Sequence, residues 1–180
     1  MSPNKSLEEA TVEEEKRLSK KEKIVDTGSA ISYSLVVGSL LDCATGLRLQ
    51  GILVSRATSA ATDSLTGALY GVWRDKVFKT AKTTEKSGKI KKYLTDLFVF
   101  DTFQIPLYAG FVSLASYVSE GHVNIVKVGH GIGYLAMISP FIGPLRGLYM
   151  DKIRNLFGMK SALEKADVQK RTEKGTDIKK

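Results

Sequence analysis

Residues 94–118 form a long apolar run, and this run constrains the fold more than any other feature of the chain. About 20 consecutive apolar residues are enough for a helix to cross a bilayer, so the run is long enough to do so. Its middle contains Asp101-Thr-Phe-Gln-Ile-Pro-Leu-Tyr108, which places a carboxylate, an amide and a proline where a membrane helix is normally apolar. A charged group at bilayer depth costs about 2.5 to 3.5 kcal/mol on insertion scales, so its presence indicates a function. The proline predicts a kink with polar backbone turned inward.

Charged residues are concentrated in three segments of the 180-residue chain, which has a net charge of +8. Residues 1–23 contain six basic and six acidic side chains, residues 74–92 contain eight and two, and residues 151–180 contain nine and five. The intervening stretches are apolar or rich in glycine and hydroxyl residues. This distribution predicts a membrane protein with charged tails and one charged loop, and it argues against a soluble globule.

The resulting prediction is an all-α membrane protein with four transmembrane helices. Lysine and arginine are most frequent in the middle loop and both tails, so the positive-inside rule predicts that these segments face the cytoplasm. The predicted segments are a polar tail at 1–23, a four-helix domain at 24–150 with spans at about 24–45, 52–73, 93–118 and 123–149 and a basic loop at 74–92, and a basic tail at 151–180.

Two pairs of predicted spans resemble each other in sequence. Residues 66–77 align with residues 142–153 at an offset of 76, and Asp26-Thr27 with Tyr33 aligns with Asp101-Thr102 and Tyr108 at an offset of 75. Each half has two spans, so the halves would form a parallel 2+2 repeat of the kind known in transporters. The alternative is that the spans resemble each other through composition alone. The aligned glycines are predicted to be helix-packing positions: Gly67, Gly71, Gly143 and Gly147.

Polar side chains inside the predicted spans are the candidate functional residues. A carboxyl group in a low-dielectric environment can load and release a proton, so Asp26 and Asp101 are candidates for proton coupling. A guanidinium matches a carboxylate, so Arg56 is a candidate for binding the acid group of a small zwitterion. The predicted substrate path comprises Arg56, Asp63, Thr102, Gln104, Pro106 and Tyr108.

Each of these assignments has a structural alternative. Asp63 and Asp101 would merely fix packing if they paired with Arg56 or Arg146. Thr102 and Gln104 would then make interhelical hydrogen bonds only. The acids near the ends of the predicted spans are expected to reach the membrane interface instead: Asp26, Asp42 and Asp96.

Several classes of function have no support in the sequence. Cys43 is the only cysteine, so neither an intrachain disulfide nor a cysteine-based metal site is expected. Residues 1–23 lack the apolar segment of a signal peptide. No Walker A loop and no nucleophile–base arrangement occurs, so we expect no enzyme activity, cofactor or metal. The basic segments are expected to bind anionic lipid headgroups, not nucleic acid.

The residues resemble those of a known family, the small bacterial L-alanine exporters. The resemblance extends from Val25 to Phe157, and Thr-Phe-Gln-x-Pro is its most specific string. The matching positions are Asp26-Thr27, Ser55-Arg56, Tyr70-Gly71, Arg74-Asp75, Asp96, Thr102-Phe103-Gln104-x-Pro106-x-Tyr108, Gly143-x-x-x-Gly147, Asp151, Arg154 and Leu156-Phe157.

The resemblance implies a multi-pass inner-membrane protein that exports L-alanine by proton-driven secondary transport, as an antiporter and without ATP. The chain departs from the family pattern at Asp63, Asp101, Arg146 and Ala61, where that pattern has Asn, an apolar residue, an aromatic residue and Pro. The extra charges leave open another small neutral amino acid as substrate. The alternative functions are a small oligomeric membrane scaffold without transport activity and a passive channel. A homo-oligomer is expected because four helices enclose little volume.

Overall fold

The computed structural model describes residues 19–44 and 48–177, and the regular structure of these residues is helical throughout. Helix α1 covers residues 19–44 and contains a π-helical stretch, Ser34–Gly38, followed by an α-helical end, Ser39–Ala44. The other helices are α2 at Leu49–Thr80, α3 at Lys89–Glu120, α4 at Ile125–Leu156 and α5 at Ala162–Asp177.

Helices α2, α3 and α4 are longer than the spans predicted from the sequence. Each has 32 residues, which at 1.5 Å per residue is about 48 Å and exceeds the roughly 30 Å of bilayer hydrocarbon. Because α2 continues to Thr80 and α3 starts at Lys89, the connection between them is residues 81–88. Most of the basic segment at 74–92 is therefore helical and not a loop.

Residues 151–177 also have more structure than the basic tail that the sequence predicts. Helix α4 continues to Leu156, and the chain then turns at Gly158, whose φ of 69° lies in the left-handed region that favours glycine. Helix α5 follows. The predicted N-terminal tail lies largely outside the described residues, which begin at residue 19.

Among the described residues, two helices are long and apolar enough to cross a membrane. The apolar stretches are Lys89–Leu114 on α3 and Val128–Leu156 on α4. Only 11% and 17% of their most apolar windows are buried, whereas the core helix of a soluble protein would be mostly buried. Exposed apolar surfaces of this kind fit helices that cross a membrane, and the membrane assignment of α1 and α2 stays a prediction.

The chain divides into two compact units. The first contains residues 1–72 and 152–159, and its buried apolar side chains include Val25, Ala30 and Tyr70. The second contains residues 73–151 and 160–180. Its buried apolar side chains are Phe78, Val99, Phe100, Met150, Ala162 and Ala166.

Candidate functional site

A buried ion pair between Asp26 and Arg154 lies in the first unit. The Nε of Arg154 donates to Oδ1 of Asp26 at 2.7 Å, and Nη2 donates to Oδ2 at 2.7 Å. Both side chains are almost fully buried. Two parallel N–H···O bonds of this kind fix the orientation of the carboxylate as well as its charge.

A second buried cluster, centred on Arg74, lies in the second unit. The Nε of Arg74 donates to Asp96 Oδ1 at 2.8 Å, while Nη1 and Nη2 donate to the two oxygens of Asp151 at 2.6 and 2.8 Å. The Arg74 side chain is fully buried, and its guanidinium carbon lies 4.6 Å from the centre of the Phe78 ring. An arginine side chain keeps its proton in proteins, so the guanidinium is a permanent positive charge between two carboxylates.

Glycine allows close helix approach in both clusters. A Cβ at Gly71 would overlap the carboxylate of Asp26, and a Cβ at Gly147 would overlap the carboxylate of Asp96. One turn earlier, a Cβ at Gly67 would lie 2.8 Å from Thr27 Cα, and a Cβ at Gly143 would lie 2.9 Å from the Cβ of Phe100. The four glycines are thus positions where a larger residue would push a neighbouring helix or carboxylate away.

The structure corrects two expectations about the acids. Asp26 and Asp96 do not reach out to the membrane interface, because both are buried and bonded to arginine. Asp42, the third acid of that group, has a side chain outside the described part of the chain. In local surroundings, the counterpart of Asp26 is Asp96 and not Asp101, since a glycine and an arginine lie against each.

Burial along the two helices supports the same correspondence. Residues 21–30 of α1 and residues 91–100 of α3 have an identical order of buried, half-buried and exposed positions. This register corresponds to an offset of 70, whereas the match of Asp26, Thr27 and Tyr33 gave an offset of 75. The shared residue types therefore misled the sequence alignment of these two helices.

Arg56 binds the π-helical stretch of α1. Its Nη1 donates to the Ser34 carbonyl oxygen at 2.6 Å and to Ser34 Oγ at 3.4 Å, and its Nη2 donates to Ser55 Oγ at 2.9 Å. A Cβ at Gly38 would overlap the guanidinium. A π-helical turn frees backbone carbonyls from their usual i→i+4 bonds, and Arg56 supplies a donor to one residue of this stretch.

Asp101 differs from the paired acids. Its Oδ1 is buried and has no hydrogen-bond partner among the described residues, and Arg146 does not bond to it. Asp63, on α2, is buried.

The remaining residues of the predicted path lie along α3. Thr102 accepts a hydrogen bond from Trp73 Nε1 at 3.1 Å and donates to the Phe98 carbonyl at 2.6 Å. Gln104 is half-buried, and Pro106 lies within the continuous helix. The Tyr108 ring lies against Gly131, where a Cβ would come within 2.9 Å of Cε1.

Sequence reasoning did not select the two arginines that centre the clusters. Arg74 and Arg154 were noted only within the family resemblance, because basic residues at helix ends are usually solvated. The sequence signal that bears on them is the match of residues 66–77 with residues 142–153. At the offset of 76, Arg74 aligns with Met150 and Phe78 aligns with Arg154, and all four side chains are buried.

Comparison with known proteins gives a consistent result. The model of a family described as "AlaE: L-alanine exporter" matches residues 14–160. The L-alanine exporter AlaE of Salmonella arizonae is 27% identical over 135 residues, which cover 74% of this chain and 86% of that protein. The corresponding proteins of Cronobacter sakazakii and Escherichia coli K12 are 25% and 26% identical, over 77% and 74% of this chain and 84% and 86% of their own lengths. No solved structure matches.

Proposed function

The chain belongs to the L-alanine exporter family, and from this membership we propose that it exports L-alanine or another small neutral amino acid across the cytoplasmic membrane. The proposed mechanism is secondary transport driven by the proton gradient. The family match over residues 14–160 is the observation that carries the proposal, because it includes both buried clusters. The exposed apolar surfaces of α3 and α4 support a membrane location.

We propose four membrane spans, formed by α1 to α4, with both termini on the cytoplasmic side. The distribution of lysine and arginine supports this topology, because residues 74–92 contain eight basic side chains. Helix α2 is the least apolar of the four. Its buried charges have protein neighbours, which reduces the cost of placing them in a membrane.

Arg56 is the proposed partner of the substrate carboxylate. Its guanidinium lies at the π-helical stretch of α1, where it donates to Ser34 and Ser55, and a guanidinium matches the two oxygens of a carboxylate. Thr102, Gln104, Pro106 and Tyr108 are the proposed path residues on α3, and Asp63 is the one on α2.

Asp101 is the proposed proton carrier. Asp26 holds two bonds from Arg154, so protonating it would break a buried ion pair. The buried Oδ1 of Asp101 has no such bond within the described residues. We expect Asp101→Asn to abolish gradient-dependent export while the protein still inserts in the membrane. Glu85→Gln, in the connection between α2 and α3, is the matched control and should transport normally. Normal rate and pH dependence in Asp101→Asn would contradict this role.

The decisive experiment measures uptake of labelled L-alanine into inverted membrane vesicles, with and without an imposed proton gradient. Inversion turns export into accumulation, so gradient-dependent accumulation is the expected result. Accumulation of a different small amino acid would change the proposed substrate but would still support an amino-acid exporter. No accumulation of any amino acid by inserted protein would contradict the proposal.

A further inference from the structure

Helix α5 begins with a capping box formed by Ser161 and Glu164. The Glu164 amide donates to Ser161 Oγ at 3.2 Å, and the Ser161 amide donates to Glu164 Oε2 at 2.8 Å. This reciprocal pair satisfies two of the amides that a helix start leaves without partners. The start of α5 is therefore encoded locally, with its cap residue Ser161 three residues after the turn at Gly158.

The first turn of α5 contacts two different helices of its unit. Lys165 Nζ lies 2.6 Å from Asp75 Oδ2 on α2, and the Ala162 amide donates to Asp151 Oδ1 on α4 at 3.2 Å. Only 16% of the Lys165 side chain and 15% of the Asp75 side chain are exposed. Ala162 and Ala166, on the same face of α5, are buried. Asp75 and Asp151 are the pair of acids that align at the offset of 76.

The contact with Asp151 adds a hydrogen-bond donor to the Arg74 cluster. Asp96 and Asp151 provide two carboxylates for one guanidinium. A helix N-terminus carries about half a positive charge, so the start of α5 adds a favourable dipole beside Asp151. The matching family region ends at residue 160, before α5 begins.

We propose that α5 is a latch, in which Lys165 and the Ala162 amide position Asp75 and Asp151 and so hold the ends of α2 and α4 in one arrangement. This inference rests on the proposed function, because alternating access requires the packing of such helix ends to change. The two contacts come from residues three apart on one rigid turn. The Ala162 amide is fixed to that turn and lies 3.2 Å from Asp151 Oδ1, so a movement of α4 away from α5 by about 0.5 Å takes this hydrogen bond beyond its limit of about 3.5 Å. The latch must therefore open during each transport cycle.

The docking of α5 can be measured without assuming transport. In a Cys43→Ser background, Ala166→Cys places a single thiol on the buried face of α5, and its rate of maleimide labelling reports opening. Adding Lys165→Glu should raise that rate on the order of tenfold, which corresponds to about 1.4 kcal/mol in the opening equilibrium. Lys170→Glu, an exposed change on the same helix, should leave the rate unchanged.

The charge exchange Lys165→Asp with Asp75→Lys provides a rescue, because it restores the ion pair with the charges reversed. Slow labelling in this double variant is the expected result. Equal labelling rates in the parent, Lys165→Glu and Lys170→Glu would overturn the latch whether or not the protein transports alanine.

A second measurement asks whether the latch must open for transport. In the Cys43→Ser background, Lys165→Cys with Asp75→Cys is joined by a reducible bifunctional thiol reagent, and uptake is measured in inverted vesicles. Uptake should be present before cross-linking, lost after it and regained on reduction. Full uptake by the cross-linked protein would overturn the latch. No uptake by the Cys43→Ser parent would instead contradict the proposed function. In that case, the labelling rate of Ala166→Cys would still show whether α5 is docked through Lys165.

Discussion

The Asp26 cluster of the first unit and the Arg74 cluster of the second surround a buried carboxylate in similar ways. Asp26 and Asp96 each lie against a glycine, Gly71 or Gly147, on a following helix. Each also accepts bonds from an arginine near the C-terminal end of a long helix. The clusters differ in how the guanidinium is shared, because Arg154 donates to both oxygens of Asp26 whereas Arg74 donates to Asp96 and to Asp151.

The difference follows from an exchange of residue types one helical turn apart. In the aligned ends of α2 and α4, Arg74 corresponds to Met150, and Phe78 corresponds to Arg154. Each end thus has one buried arginine and one buried apolar side chain, in opposite order. The same backbone pattern therefore supports a bidentate Asp26–Arg154 pair in one unit and a two-acid cluster around Arg74 in the other. The extra acid requires additional donors, and the Ala162 amide is one of them.

Replacing each cluster arginine should have the largest effect on stability and is the strongest test of this comparison. We expect Arg74→Met to lower the free energy of unfolding by about 3–5 kcal/mol, because it leaves two buried carboxylates without their shared cation. Arg154→Met removes the two bonds that Asp26 accepts and should also destabilise the fold. Thermal unfolding in detergent, followed by size-exclusion chromatography and by the fluorescence of Trp73, measures both.

The control for the two arginine variants is Arg171→Met, at an exposed position whose ion pair with Asp167 spans one turn of α5. A surface pair of this kind contributes about 0–1 kcal/mol. Losses in Arg74→Met and Arg154→Met no larger than the loss in Arg171→Met would show that the buried ion pairs do not stabilise the fold.

Alanine at the two cluster glycines should have the next largest effect. A Cβ at Gly71 or Gly147 displaces the carboxylate that lies against it, and overpacking of this kind costs about 1–3 kcal/mol. Gly71→Ala should be the more damaging, because Asp26 then loses both bonds from Arg154. In Gly147→Ala the displaced Asp96 loses one bond, and Arg74 keeps both bonds to Asp151. Melting temperatures show which of the two variants loses more stability. A larger loss in Gly147→Ala would contradict this prediction.

The helical class, the family and the approximate positions of α1 to α4 follow from the sequence, because apolar runs and charge segregation have simple physical causes. The clusters do not follow from it. Asp26 and Arg154 are 128 residues apart, and only the packed structure brings them into contact. Basic residues also mark helix ends without revealing which of them are buried, so Arg74 was assigned to a solvated loop. The limits of α2 and α3 were misplaced for the same reason, since hydropathy detects the lipid-facing part of a helix and not its full length.

Replacing Phe78 tests whether its aromatic ring stabilises the Arg74 cluster beyond its packing. Phe78→Leu should cost more than Met150→Leu, because it removes a ring that lies 4.6 Å from the Arg74 guanidinium. A desolvated cation–π contact contributes roughly 2 kcal/mol, whereas a volume-conserving exchange such as Met150→Leu costs less than about 1.5 kcal/mol. Melting temperatures of the two variants, measured in the same detergent, provide the comparison. Equal losses would assign the role of Phe78 to packing alone.

Alanine at glycines away from the clusters should have the smallest effect and the opposite sign. A Cβ at Gly110 on α3 or Gly133 on α4 meets no heavy atom within 4 Å, so neither substitution crowds the protomer. Alanine is favoured over glycine in a helix by about 0.8–1.0 kcal/mol in water, and a gain of at most that size is expected in Gly110→Ala and Gly133→Ala. The measurement is again the melting temperature, together with the apparent mass in detergent. A loss of stability with an unchanged mass would show that the open space is needed within the protomer. A loss accompanied by a smaller apparent mass would show that a second copy of the chain packs against that glycine, so the sign of this small effect separates packing within the chain from packing between copies.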